Sequence, residues 1–200
     1  MHLARRAWCR TYQTVFRIAL PILPYTEPRI LEHAEDVPAV LQKRSIQKVL
    51  IVTDPGIARL GLTAPLERAL MAQGIGVTVY AETRANPTVS NVEEAAALYR
   101  ENDCRAIIGF GGGSAMDCAK GVGARIAQPN KPINKMRGLL RVHRLLPLLI
   151  TVPTTAGTGS EVDQWGVITN EETNEKIGFG GYDSLFPAIA VVDPELMKSV

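Results

Sequence analysis

A chain of 200 residues, 46% hydrophobic and 21% charged, is long enough for one well-buried core and has the composition of a globular protein. A formal net charge of +2 argues against a nucleic-acid binder. Cys9, Cys104 and Cys118 lack any CxxC spacing, which argues against a disulfide framework or a thiolate zinc site, so a reducing, cytoplasmic setting is expected. No apolar run approaches the ~20 residues of a membrane-spanning helix.

The chain opens with Arg5, Arg6, Arg10 and Arg17 interleaved with Trp8, Tyr12, Val15, Phe16 and Ala19, an apolar stripe at helical spacing against a basic face. This amphipathic helix is expected to pack on its own domain or on a partner subunit; the alternative is a membrane surface or a targeting role. Pro21 breaks the apolar residues 18–23 and no small-residue cleavage pattern follows, which argues against secretion. Pro21, Pro24 and Pro28 mark a linker. Residues 1–28 are therefore read as a helical extension and linker, and residues 29–200 as the domain proper.

Residues 48–53 (KVLIVT) form a nearly continuous β-branched run, the pattern of a strand buried on both faces, and Asp54-Pro55-Gly56 ends it. Residues 62–73 have helical periodicity with Gly74 as the stop, and residues 76–80 form a second strand. Asn86-Pro87-Thr88 is a turn, after which Ser90 with Glu93 and Glu94 resembles a capping box for a helix running to Arg100. Residues 105–110 form a third strand, residues 114–127 the helix after it, and residues 148–152 a fourth strand. Residues 131–144 carry Lys131, Lys135, Arg137, Arg141, His143 and Arg144 without an acid. They read as a solvated helix or loop, with attraction of a phosphate or an acidic partner as the alternative. A hairpin (167–169 and 176–179) and a last strand (188–192) follow. The alternation implies an α/β fold, a mostly parallel, doubly wound, Rossmann-like sheet with a β-hairpin, preceded by the amphipathic helix.

The sharpest chemical signal is Phe110-Gly111-Gly112-Gly113-Ser114, between a buried strand and a helix. Glycines leave no side chain between the backbone N–H groups and a ligand, and a helix start adds unpaired donors and a positive dipole end, so the turn suits a pyrophosphate. It is no P-loop, because Lys120 precedes Gly121 instead of following the last glycine of a loop. The usual dinucleotide fingerprint places an acid ~20 residues after its glycines. Here the candidate acid, Asp54, comes before them, so the chain order differs. A second loop, residues 154–161 (TTAGTGSE), gathers Thr154, Thr155 and Thr158 after the fourth strand. Asp54, Asn86, the glycines and this loop all follow strands and should meet at one sheet edge. Asp117 and Lys120, three residues apart on one helix, either pair with each other or act at the cofactor. Cys118, near that helix start, is either a packing residue or a thiol of lowered pKa.

From about residue 48 to 194 these segments resemble the N-terminal domain of the iron-containing (group III) alcohol dehydrogenase family. The resemblance rests on Val52-Thr53-Asp54, Asn86-Pro87-Thr88, Asn91-Val92-Glu93-Glu94, residues 111–120 (GGGSAMDCAK) and residues 153–161 (PTTAGTGSE). The glycine block and the Pro-Thr-Thr block in this order are together specific.

The resemblance implies an NAD(P)-dependent oxidoreductase of small primary alcohols or aldehydes, and a homo-oligomer. Gly111, Gly112, Gly113 and Ser114 would hold the pyrophosphate, Thr154, Thr155 and Thr158 would line the cofactor cleft, and Asn86 and Asp117 would be further contacts. Lys176 would reach a ribose. Asp54 would accept hydrogen bonds from the adenosine ribose and repel a 2′-phosphate, making NAD the cofactor and NADP the weaker ligand. The family's divalent iron or zinc is held by one aspartate and three histidines of a helical C-terminal domain, which is expected to lie outside this chain. The histidines here, His2, His33 and His143, have no ligand spacing, so no metal ligand and no catalytic residue is assigned. Two other readings are a glycerol dehydrogenase or dehydroquinate synthase relative, and a non-catalytic nucleotide-binding or interaction module.

Overall fold

The computed structural model describes residues 3–19, 26–181 and 184–198. His2, Pro21 and Pro24 lie outside them. The strands in chain order are β1 (Arg29–Leu31), β2 (Lys48–Val52), β3 (Gly76–Tyr80), β4 (Ala106–Gly111), β5 (Leu148–Pro153), β6 (Trp165–Asn170), β7 (Glu175–Gly180) and β8 (Ile189–Val191). Six of them form one parallel sheet in the order β1-β8-β5-β4-β2-β3, while β6 and β7 pair as an antiparallel hairpin.

The central strands are apolar at successive positions because helices cover both faces. Helices α5 (Val89–Glu101) and α6 (Gly113–Ala127) cover one face, where Leu50, Val52, Ile107 and Leu149 meet Val92, Ala95, Ala119 and Val122. Helices α2 (Val37–Lys43), α3 (Pro55–Arg59) and α4 (Ala64–Ala72) cover the other, where Val49, Ile51, Ile108 and Phe110 meet Val40, Leu41, Leu66 and Leu70. The two sets alternate along each strand as the pleat requires. Each fully buried aliphatic side chain contributes about 1.5–3 kcal/mol.

Several expectations are corrected. The helix expected over 62–73 forms as α4, and a short helix that was not expected, α3, precedes it. Asp54 starts α3 directly after β2, Gly61 reverses the chain at φ 67°, and Pro65 confines the next start to α4, since proline is tolerated in a helix only in its first turn. The capping residue of α5 is Thr88 rather than Ser90: its hydroxyl accepts the Asn91 N–H at 3.2 Å, and the Asn91 side chain accepts the Thr88 N–H at 3.2 Å. Ser90 instead donates its hydroxyl to Glu171 at 2.9 Å. The basic segment 131–144 is the solvated connection expected, but it is anchored at three points. It makes a short 3-10 turn, Ile133–Met136, and buries Ile133, Met136 and Val142 while its charges stay at the surface. The amphipathic helix forms as α1 (Leu3–Ala19), but it does not pack on its own domain: Trp8, Tyr12, Val15 and Ile18 are all more than half exposed. The edge strand β1 and helix α2 were not expected.

The chain runs from β2 outward to β3, then crosses back to β4 and on to β5 and β8. The winding therefore reverses between β2 and β4. Open α/β sheets bind ligands in the crevice beyond the carboxyl ends of the strands at such a reversal.

Candidate functional site

Asp54 leaves β2 and Gly111 closes β4, so both stand at that crevice. One Asp54 carboxylate oxygen, Oδ1, accepts the N–H groups of Gly56 and Ile57 at 2.8 and 3.0 Å and so caps α3. The second oxygen, Oδ2, faces Gly111: a Cβ on that glycine would lie 3.2 Å from it and 3.0 Å from the Ala115 methyl. Gly111 also has φ 140°, which a side-chain-bearing residue rarely adopts. Both the turn and the close approach require glycine there.

Gly112 is the N-cap of α6 and no side chain caps this helix. The first-turn N–H groups have no carbonyl within the helix, and with the dipole they form an anion-accepting end. The threonine-rich loop closes against it. The Thr154 N–H donates to Gly111 O at 3.0 Å. Thr155 Oγ1 lies 3.4 Å from where a Gly112 Cβ would stand, and the Thr158 methyl 3.3 Å from that of Gly113. Thr154 is buried, and its hydroxyl has no hydrogen-bond partner among the described residues.

These groups surround a cavity of about 810 Å3 that is lined by Asp54, Gly112, Gly113, Ser114, Thr154 and Thr155. Its size and mixed polar and apolar wall suit a nucleotide-sized ligand. The structure thus brings six of the expected site residues onto one wall. Gly111 lies just behind it. Asn86 and Lys176 meet at the rim: Lys176 Nζ donates to Asn86 Oδ1 at 2.9 Å, and the Asn86 N–H donates to Ser114 Oγ at 3.3 Å. Thr158 is exposed and does not line the cavity; its hydroxyl accepts the Ser160 N–H at 3.3 Å.

Asp117 sits one turn further along α6. It does not pair with Lys120; its carboxylate accepts the Ser160 hydroxyl at 2.8 Å and the Val167 N–H at 3.0 Å. Burial holds its pKa above the ordinary range, partly offset by the Lys120 charge and these two donors. The fully buried Lys120 reaches Asp163 and the Trp165 carbonyl, the latter at 2.8 Å. Together the two side chains fasten β6 and the threonine loop to α6. Cys118 points into the core away from this wall, and burial pushes its thiol up to about 12, the reverse of an activated cysteine.

The sequence reading missed Arg59, Leu60, Glu82, Thr83, Arg84 and Ala85, which line the cavity along with Pro55, Gly56 and Ile57. Their only sequence signal is position, since they sit in the segments after β2 and β3. The glycines of β7 also find their reason, because cross-strand Trp165 fills the space above Gly178 and Gly180.

Fold and site together define a class: a doubly wound α/β domain whose uncapped, glycine-started helix opens at the switch point. Residues 30–194 match the family model of the iron-containing alcohol dehydrogenase. The chain is 38% identical over 157 residues to a choline dehydrogenase of Bacillus subtilis (strain 168), covering 78% of this chain and 39% of that one. In three dimensions it matches a 1,3-propanediol oxidoreductase with a TM-score of 0.83 at 30% identity, covering 89% of this chain and 47% of that one. It also matches a sulfoacetaldehyde reductase from Bifidobacterium kashiwanohense in complex with NAD+, with a TM-score of 0.76 at 31% identity over 89% and 48% of the two chains. The chain belongs to the iron-containing alcohol dehydrogenase family. It spans less than half the length of these relatives.

Proposed function

We propose that this chain supplies the NAD-binding half of an oxidoreductase that interconverts small primary alcohols and aldehydes. One observation carries the reading: the uncapped start of α6 opens, beside Asp54 and the partnerless hydroxyl of Thr154, onto the cavity at the switch point. The backbone N–H groups from Gly112 to Ser114 hold the pyrophosphate. Asp54 Oδ2 accepts the adenosine ribose hydroxyls, and its charge disfavours a 2′-phosphate. Thr154 and Thr155 line the cleft, while Asn86 and Lys176 form a polar contact at its rim. When bound, the nicotinamide ring accepts or delivers the hydride.

The substrate class is supported by the family and by the names of the relatives, which act on choline, 1,3-propanediol and sulfoacetaldehyde, and the third is described with NAD+. The family's iron or zinc finds no donor set here: among the described residues no three His, Cys, Asp or Glu side chains gather. The chain alone is therefore a cofactor binder without turnover. A cytoplasmic setting is part of the reading, supported by Cys104 and Cys118 buried as free thiols.

Titration calorimetry of chelator-treated protein with NADH tests it, together with an assay of NADH formation from ethanol, butanol and propanediol. Heat of binding without turnover is expected. No heat at millimolar NADH from a folded protein overturns cofactor binding, and steady turnover overturns the division of labour.

A further inference from the structure

We propose that helix α1 is an anchor that seats this chain on an anionic lipid bilayer. The helix lies before residue 30, where the family match begins, so the dehydrogenase fold does not account for it. Arg6, Arg10, Gln13 and Arg17 recur at the spacing that shares one helical face. Trp8, Tyr12, Val15 and Ala19 repeat that spacing two residues on, about 200° around the axis, and so share the opposite face.

The apolar face is not used by the domain. Trp8 is 71% exposed, Tyr12 51% and Val15 61%. It is nonetheless continuous: the Tyr12 and Phe16 rings stack at 6.0 Å, and Thr11, which falls between Trp8 and Val15, turns its hydroxyl back onto the Ala7 carbonyl at 3.0 Å. Trp and Tyr are the side chains enriched at the boundary between headgroups and acyl chains.

Charge selects the occupant. The helix carries four arginines and no acid. A second copy packed against it would bring further guanidinium groups with no carboxylate on the helix to answer them. Anionic headgroups answer them at the depth where the apolar face enters the acyl region. Among the described residues no helix is long and apolar enough to cross a membrane, so α1 lies in the plane of the interface.

The test is flotation of the full 200-residue chain with vesicles of phosphatidylcholine alone or mixed with phosphatidylglycerol. The chain is expected to float only with the phosphatidylglycerol vesicles, and less as salt rises. The pair Arg10→Glu and Arg17→Glu, and separately the pair Trp8→Ser and Val15→Ser, should each weaken partition by roughly tenfold or more. Both should leave the thermal unfolding transition unchanged, because these side chains stand clear of the core. Failure to float with phosphatidylglycerol vesicles, or equal flotation with neutral ones, overturns the proposal. So does a dimer in sedimentation velocity that Trp8→Ser with Val15→Ser dissociates while vesicle binding is absent.

Discussion

Helices α5 and α6 lie side by side on one face of the sheet, each entered from a parallel strand, and they begin in opposite ways. At α5 the chain closes its own helix end: Thr88 and Asn91 exchange hydrogen bonds in a complete capping box. At α6 the same position is Gly112, with no side-chain cap and a cavity in front of it. Thr88 and Gly112 both hold an extended N-cap backbone, so the local fold does not impose the difference. One helix end is finished by the chain's own side chains, and the other opens uncapped onto the cavity.

Converting the open end into a closed one should have the largest effect. Gly112→Asp places a carboxylate at an N-cap whose backbone accepts it, and its Cβ meets Thr155 Oγ1 at 3.4 Å. NADH affinity is expected to fall by at least about a hundredfold, because the new charge takes the phosphate's donors and repels it, while stability changes by only a few tenths of a kcal/mol. Calorimetry and urea unfolding of the same sample read both; retained NADH binding breaks the comparison.

The converse change opens the closed end. Thr88→Ala should cost about 1 kcal/mol in urea unfolding and leave NADH affinity within roughly threefold. An unaltered unfolding midpoint would show that the capping box stabilises nothing.

Asp54 combines both roles, capping α3 with one oxygen and offering the other to the crevice. Asp54→Asn keeps a good N-cap side chain and removes the charge, so the preference for NADH over NADPH should narrow by roughly tenfold without loss of stability. An unchanged ratio of the two dissociation constants would clear Asp54 of cofactor discrimination.

The smallest effects concern buried groups near α6. Thr154→Val removes a hydroxyl without a partner, so the free chain should be as stable or slightly more so, while NADH affinity drops by a few-fold. A destabilised free chain would mean that the hydroxyl is already bonded within the fold. Asp117 supplies a pH signature. Burial raises its pKa in the folded state, so its stabilising share is present below the unfolded value near about pH 4 and is lost as pH rises through the folded one. The stability of the natural chain minus that of Asp117→Asn should therefore decline across that interval and then level off. A difference that grows with pH contradicts it.

The central strands and the glycine turn were legible because their signals are local: a β-branched run reads as a buried strand, and consecutive glycines before a helix read as a donor-rich turn. What was not legible depended on partners far along the chain. β1 is three residues whose pairing is dictated by Val191 and its neighbours, which no window around Arg29 contains. Ser90 has as good a capping composition as Thr88, but Thr88 pairs reciprocally with Asn91 while Ser90 is taken up by Glu171 on the hairpin. Asp117 and Lys120 have ideal helical spacing for a pair, but Ser160, Val167 and Asp163 draw the two side chains to other partners. Cys118 read as either a packing residue or an activated thiol near a helix start, and its burial in the core is the packing outcome.

The pairing of β1 with β8 also shapes how the molecule is made. Of the described strands, the first along the chain has its sheet neighbour in the last, so this edge has a very high contact order and cannot close until Ile189 has been made. β2 to β5 and the helices between them can assemble meanwhile from nearer contacts. The waiting segment is only three residues long and carries Arg29, two features that make an unpaired edge a poor template for a neighbouring nascent chain. Its brevity, which hid it from the sequence reading, also protects the chain during the interval before Ile189 arrives.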